Sequence, residues 1–117
     1  MPTASVTTRV RYTHPVLRGL KRCGYDVVEA PKQEPNENDI LVTWNRLHTV
    51  DPHAKRYEAA GAKVVVCENG WIGKDTYAIS LGQHNGAGWW RVGDANRWSS
   101  FGIEVKPYRT KGEHILV

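Results

Sequence analysis

The residues best equipped for chemistry lie in the stretch LGQHNGAGWW, at positions 81–90. Histidine is the side chain most often used as a general base, so His84 could have that role, or it could simply support the turn. Asn85 can both donate and accept hydrogen bonds, and a glycine such as Gly86 lets a ligand approach the backbone. The loop lacks the spacing of the Walker A and GxGxxG phosphate-binding motifs, so it predicts a ligand-binding turn without naming the ligand.

Two further polar segments come directly after apolar runs that read as strands. Asn45 follows ILV closely, and Glu68 follows VVVC. A carboxylate beside a buried strand must either find a partner or titrate abnormally. Glu68 could therefore be a general base, or it could form an ion pair with an arginine such as Arg46. Asn45 and Asn69 could orient a ligand, or they could serve only as turn residues.

Tryptophan and tyrosine dominate the aromatic residues of the chain. It has five of each and a single phenylalanine. These two side chains combine a large apolar ring with a polar group, and they are frequent where proteins bind sugars, bases or partners. Trp44, Trp71 and Trp89 adjoin the polar segments and could wall a ligand cleft, although each could equally fill the core.

A parallel sheet is the element that must position these residues. The apolar runs at 40–43 and 63–67 read as strands covered on both faces, and the segment near 52–60 between them reads as a helix. A strand, a helix and a strand at this spacing form a βαβ unit, so the two strands should be adjacent and parallel. A further helix is predicted within 14–24, with Pro15 in its first turn.

Ligands of open parallel sheets bind beyond the carboxyl ends of the strands. We therefore expect Asn45, Glu68 and His84 to lie around one cleft, provided that the strand YAISL before His84 runs in the same direction. Trp89 or Trp90 should pack inward and anchor the turn, since side chains alternate along an extended segment. The rest of the second half predicts a short helix over 94–101, a strand in GIEVKPYR and the start of another in HILV.

Length and composition limit the classes of protein to which the chain can belong. The 117 residues suffice for one domain, and 40% hydrophobic with 24% charged residues is typical of a globular chain. The N-terminus has no hydrophobic core like that of a secretory signal, so we expect a cytoplasmic protein without membrane contact.

A net charge of +4 is compatible with nucleic-acid binding but does not require it. Neither the two cysteines nor the five histidines show metal-ligand spacing, and we expect no metal or cofactor.

The combined motifs ILVTWNR, VVVCENGWIG, YAISLGQHNGAG and GIEVKPYR cover the chain from about Ile40 to its end. In this combination the chain resembles an uncharacterised family of phage and bacterial proteins. That family is similar, more distantly, to capsule-polysaccharide glycosyltransferases with the two-lobed GT-B fold. The N-terminal 39 residues match poorly, so the first strand of such a lobe is expected to be missing or degenerate.

The resemblance implies a Rossmann-like, three-layer α/β domain that spans 1–117 and has a mostly parallel sheet. Such a domain is similar to one lobe of the GT-B fold, and the second lobe is expected to be absent. It implies the acceptor-side lobe of a glycosyltransferase that uses a nucleotide-sugar donor, incomplete alone. His84 or Glu68 would then activate an acceptor hydroxyl. The residues that would orient or enclose the acceptor are Trp44, Asn45, Asn69, Trp71, Asn85, Gly86 and Trp89. The alternative is a small non-enzymatic phage module that binds nucleic acid or a host protein.

Overall fold

Five strands form one sheet in the computed structural model, which describes residues 1–7, 10–73, 75–90, 93–107 and 111–112. Three α-helices and one short 3₁₀ turn accompany the sheet in the described part of the chain. In chain order the elements are β1 (Thr3–Val6), α1 (Val10–Arg22), β2 (Asp26–Val28), β3 (Ile40–Trp44), α2 (Asp51–Ala59), β4 (Lys63–Asn69), β5 (Tyr77–Leu81), the 3₁₀ turn Asn85–Ala87 and α3 (Asn96–Ser99).

The sheet is mostly parallel, with the strand order β2-β1-β3-β4-β5. The pairs β1–β2, β1–β3 and β3–β4 are parallel, whereas β5 runs antiparallel to β4. The predicted adjacency of the strands at 40–43 and 63–67 is confirmed, with Ile40 opposite Lys63 and Trp44 opposite Cys67. Helix α2 connects these two strands, as the βαβ pattern predicts, and the α/β class is confirmed.

Helices α1 and α2 each contribute to a different core cluster, because neighbouring residues of a strand face opposite sides of the sheet. Leu41 packs with the α2 residues Ala54 and Tyr57, whereas its neighbour Val42 packs with Leu17 of α1. Both faces of β3 are therefore covered, which explains why its sequence is a continuous apolar run rather than an alternating one.

Strand β1 lies in the middle of the sheet, between β2 and β3, although this first strand was expected to be missing or degenerate. That expectation is wrong. The strand is four residues long and reads TASV, so it lacks the β-branched or aromatic run by which a strand is usually recognised. Ala4 and Ser5 are fully buried there, since a central strand beside close neighbours can accommodate small side chains.

The buried carboxylate of Asp39 ties β1 to the segment that precedes β3. Its oxygens accept hydrogen bonds from the backbone N–H groups of Thr3 and Asn36, both at 2.9 Å, and from Lys32 Nζ at 2.7 Å. Three donors satisfy a charge that would otherwise be costly to bury. Asp39 thereby fixes the start of the short strand β1 against the sheet.

Two predicted elements differ from the structure. Helix α1 begins at Val10, so Pro15 lies inside it rather than in its first turn. The strand predicted in GIEVKPYR is not formed over 103–107, and its remaining residues 108–109, like HILV at 114–117, lie outside the described residues. Within the described ranges, no helix is both long and apolar enough to cross a lipid bilayer.

Candidate ligand-binding cleft

The turn after β3 carries the most unusual backbone of the described residues. Asn45 has a φ of 62°, and no other non-glycine residue in the described ranges has a positive φ. Its N–H donates to Cys67 O at 2.9 Å, and its carbonyl accepts from the Thr43 hydroxyl at 2.9 Å. Its side-chain Oδ1 is buried without a hydrogen-bond partner among the described residues. A left-handed conformation with an unused buried acceptor is typical of a site that binds something.

Trp44 and Tyr77 meet edge to face on the side of the sheet that α1 covers. Their ring centroids are 6.1 Å apart with an interplanar angle of 84°. Trp44 lies opposite Cys67 and Tyr77 lies opposite Asn69, so this contact crosses the carboxyl end of β4. The contact fixes the ring of Tyr77 at the edge of the sheet, where the polar segments predicted a cleft.

A cavity of about 450 Å³ opens beside Tyr77 and the end of β4. We call it the aromatic cleft. Its floor is β5, on the same side of the sheet as α1 but beyond the part of the sheet that α1 covers. Its walls come from α1, from the turn after β4 and from the segment around α3. The lining residues that matter below are Trp71, Asp75, Tyr77, Ile79, Trp90, Arg97 and Phe101.

The described residues of the turn between β4 and β5, namely 70–73 and 75–76, build one wall of the aromatic cleft. Gly70 N–H donates to Thr76 O at 2.7 Å, and the Thr76 hydroxyl donates to Ile72 O at 2.6 Å. A Cβ at Gly70 would lie 2.7 Å from Thr76 Cβ, so only glycine allows the two ends of the turn to approach this closely. The closed turn projects Trp71 outward, where its side chain is 81% exposed.

Two charged groups line the aromatic cleft among its aromatic rings. Arg97 belongs to α3, and Asp75 belongs to the turn between β4 and β5. Neither forms an ion pair with a residue in the described part of the chain. Among its described residues, the cleft thus offers apolar ring faces together with a cation and a carboxylate that form no ion pair, a combination suited to a ligand with both apolar and polar surfaces.

Glu68 lies at the predicted edge but does not face the aromatic cleft. It is opposite Ala78 on β5, whereas Tyr77 and Ile79 point to the other face of the sheet. The suggested ion pair with Arg46 is wrong, since the ion pairs of Arg46 in the described part of the chain are with Asp51 and Glu58. The catalytic role of Glu68 stays a prediction.

The expected convergence of His84 with Asn45 and Glu68 is also wrong. Because β5 is antiparallel to β4, the loop that follows β5 begins at the amino end of β4, where Leu81 is opposite Val65. The N–H of Gly82 donates to Val64 O, and Val64 lies four residues before Glu68 on β4. Four strand residues span about 13 Å, so Gly82 lies about that far from the end of β4 that carries Glu68. The loop that contains His84, Asn85 and Gly86 therefore begins at the amino end of β4, although the long side chain of Arg46 reaches its first residue, Gly82.

Backbone hydrogen bonds, rather than a buried tryptophan, hold that loop. Leu81 and Trp89 exchange N–H···O bonds of 3.1 and 3.0 Å, and the Ser80 hydroxyl donates to Gln83 O. Trp89 is 62% exposed and Trp90 is 40% exposed, so the predicted inward anchor is wrong. Trp90 instead lines the aromatic cleft, whereas Trp89 does not.

The sequence analysis missed several residues of the cleft although signals for them existed. Tyr77 and Ile79 alternate with Ala78 and Ser80 along β5, a pattern typical of a strand with two different faces. Arg97 and Phe101 are four residues apart, the spacing that brings side chains together on a helical turn. Trp44, Asn45 and Asn69 lie at the carboxyl ends of β3 and β4, and Trp71 lines the cleft. A ligand-binding role for these four residues stays a prediction.

Comparison with known proteins gave no matching family model, no similar curated protein and no similar solved structure. In the described residues, no group of three His, Cys, Asp or Glu side chains could hold a metal ion. The chemistry of the aromatic cleft is therefore the best indication of function.

Proposed function

We propose that this chain is a Rossmann-like carbohydrate-binding lobe, namely the acceptor-side lobe of a GT-B-like glycosyltransferase that uses a nucleotide-sugar donor. The observation that carries the proposal is the aromatic cleft at the carboxyl end of β4, lined by Trp71, Tyr77, Trp90 and Phe101. The resemblance of the motifs around Asn45 and Asn69 to a family distantly similar to these enzymes agrees with it.

The cleft has the chemistry that a sugar requires. A sugar ring presents C–H groups on its faces and hydroxyl groups around its edge, so it packs on an aromatic ring while its rim forms hydrogen bonds. Trp71 offers an exposed ring face, and the carboxylate of Asp75 can accept hydrogen bonds from hydroxyl groups. A volume of about 450 Å³ is within the usual range for small-molecule sites.

The sheet supports a ligand site at the same edge. The strand order reverses between β1 and β3, and such a reversal creates a crevice at the carboxyl ends of the strands; this crevice lies at the same end of β4 as the aromatic cleft, although no residue of β1 or β3 lines the cleft. Asn45, with its unused Oδ1, follows β3 there. The proposal for this lobe concerns binding, because neither Glu68 nor His84 faces the aromatic cleft and neither is assigned as the base of the transfer step.

Trp71 and Trp89 provide a matched pair of variants for the test. Both rings are largely exposed, but only Trp71 lines the aromatic cleft. We expect a panel of neutral hexose and N-acetylhexosamine oligosaccharides to contain a ligand, measured by NMR titration. Trp71→Ala should weaken its binding about tenfold, the loss expected for one aromatic contact, and Trp89→Ala should leave it unchanged. Equal losses in both variants, or no binding by any saccharide, would refute the proposal.

The alternative function, nucleic-acid binding, also has an observation in its favour. The same exposed rings could stack on bases, and the chain is basic with a pI near 9.2. Single-stranded DNA binding would weaken steeply as salt is added, because counterions are released from phosphates. Sugar binding that persists at high salt, with no measurable DNA affinity, would exclude this alternative.

A further inference from the structure

We propose that the aromatic cleft selects a sugar that carries one anionic group, and that Arg97 binds this group. The inference rests on the proposed function and adds the class of sugar that the cleft prefers. The anionic group is a carboxylate or a phosphate, since both present paired oxygens that a guanidinium can bind.

The first step of the argument is the state of the Arg97 guanidinium. Arg97 lines the same cavity as the aromatic residues Trp90 and Phe101, and its side chain has no ion pair in the described part of the chain. Arg46 shows the contrast, because its guanidinium is bound by the carboxylates of Asp51 and Glu58 and by the carbonyl of Gly82. Arg46 is thus fully used by the fold, whereas the donors of Arg97 are available to a ligand.

The second step is the geometry of the guanidinium group. A planar guanidinium donates two parallel N–H···O bonds to a carboxylate or phosphate, and it stacks well beside aromatic rings. Trp90 and Phe101 line the same cavity as Arg97, and although all three residues are exposed, an anion bound there would lie beside apolar rings. Each water molecule that such a ring displaces strengthens the attraction between the two charges relative to a fully hydrated pair.

The third step is the opposite charge of Asp75 in the same cleft. Its carboxylate accepts hydrogen bonds from sugar hydroxyls but repels an anion. A ligand with one anionic group should therefore bind in one orientation, with that group at Arg97 and its hydroxyl rim near Asp75. A sugar with two anionic groups at opposite ends should bind less well than one with a single anionic group.

The test uses three monosaccharides of the same ring, namely glucose, glucuronate and glucose 6-phosphate. Each is titrated by NMR into the full chain, into Arg97→Gln and into Arg18→Gln. Arg18 is exposed on α1 and lies outside the cleft, so its substitution makes the same change in net charge without touching the site. The Arg97 side chain forms no hydrogen bond or ion pair in the described part of the chain, and thermal unfolding verifies that both variants remain folded.

We expect at least one of the two anionic sugars to bind about tenfold more tightly than glucose. Arg97→Gln should remove this preference, and Arg18→Gln should retain it. The two anions distinguish the two sources of the group: a preference for glucuronate alone indicates an acidic sugar, and a preference for glucose 6-phosphate alone indicates a sugar phosphate.

Two results would overturn the inference while leaving the proposed function intact. One is Trp71-dependent binding of glucose as tight as that of both anions. The other is an anion preference that Arg97→Gln and Arg18→Gln reduce equally, which would show that overall charge is responsible. The absence of Trp71-dependent binding by any saccharide, oligosaccharides included, would overturn the inference together with the proposed function.

Discussion

Arg46, in the turn after β3, donates a hydrogen bond from Nη1 to the backbone carbonyl of Gly82, in the loop after β5. The same guanidinium binds Asp51 Oδ1 at 2.8 Å and Glu58 Oε1 at 2.6 Å on α2, and its side chain is only 6% exposed. One side chain thus joins the carboxyl end of β3, helix α2 and the loop that contains His84.

Replacement of Arg46 by methionine should destabilise the protein by about 2 kcal/mol, because two carboxylates and a carbonyl lose their shared donor. The cost stays below that of a fully buried broken pair because Asp51 and Glu58 keep contact with water. Urea unfolding measures the change. Lys55→Met is the control, since the exposed pair of Lys55 with Asp51 should contribute less than about 1 kcal/mol. Equal losses in the two variants would contradict the linking role of Arg46.

Gly88 is required where the loop after β5 returns to the sheet. A Cβ at this position would lie 2.7 Å from Ser80 Oγ and closer still to Gln83 O, whereas a Cβ at Gly86 would meet nothing within 4 Å. Gly88→Ala should therefore cost about 1–3 kcal/mol of stability, and Gly86→Ala should cost much less. Thermal unfolding of the two variants decides the matter. A Gly88→Ala protein as stable as the Gly86→Ala protein would show that the close approach to Ser80 is unimportant.

Asn45 should tolerate glycine better than alanine. Glycine adopts the observed φ of 62° without strain, whereas alanine there should be less stable than glycine by about 1 kcal/mol. Both substitutions remove Oδ1, so both should weaken ligand binding equally if that oxygen contacts the ligand. The comparison of unfolding free energies with sugar titrations separates the backbone effect from the effect of the oxygen. A more stable alanine variant would contradict the strained conformation.

The carboxylate of Asp39 should make stability depend on acid pH. Burial raises the pKa of Asp39, but hydrogen bonds from Lys32 Nζ and from the N–H groups of Asn36 and Thr3 outweigh it and leave the pKa below its ordinary value. In the unfolded chain the pKa of an aspartate is about 3.9. A carboxylate whose pKa is lowered by folding stabilises the fold fully above that pH, and it loses this contribution as the pH falls through its pKa in the folded protein.

Asp39→Asn should accordingly be less stable than the wild type at pH 7, and the difference should shrink as the pH falls below about 4. Urea unfolding between pH 7 and pH 2 measures it. The exposed Asp26 provides the control, because Asp26→Asn should follow the wild-type curve. A difference between Asp39→Asn and wild type that stays constant with pH would show that the charge of Asp39 is not what matters.

The two cysteines should differ sharply in reactivity. Burial raises the pKa of the Cys67 thiol to about 12, and the residue is 1% exposed, whereas Cys23 is exposed. The thiolate is the reactive form, so a thiol-specific reagent at pH 8 should modify Cys23 quickly and Cys67 only after unfolding in urea. Cys23→Ser should abolish the fast reaction. Fast modification of two thiols in the folded wild type would contradict the burial of Cys67.

The sequence by itself determined the central part of the fold. The apolar runs at 40–43 and 63–67, with a helical segment between them, predict two parallel strands because a crossover helix is the usual connection of such a pair. The direction of β5 could also be predicted from the sequence, although the expectation for the cleft left that direction undecided. The connection at 70–76 is shorter than the roughly dozen residues that a parallel crossover needs, so β5 had to be antiparallel to β4. That direction makes the loop that contains His84 begin at the amino end of β4 rather than at its carboxyl end.

Only the tertiary structure decided which residues form the site. The aromatic cleft joins Pro15 of α1, Trp71 of a turn and Arg97 of α3, which are far apart in the chain. No local sequence pattern predicts that these residues come together. Hydrophobic periodicity indicates which face of an element is buried, but it does not indicate which other element covers that face. The partners of Arg46 show the same limit. Side-chain type predicts that a buried guanidinium needs acceptors, whereas the packing of α2 and the loop after β5 selects Glu58 and Gly82 to supply them.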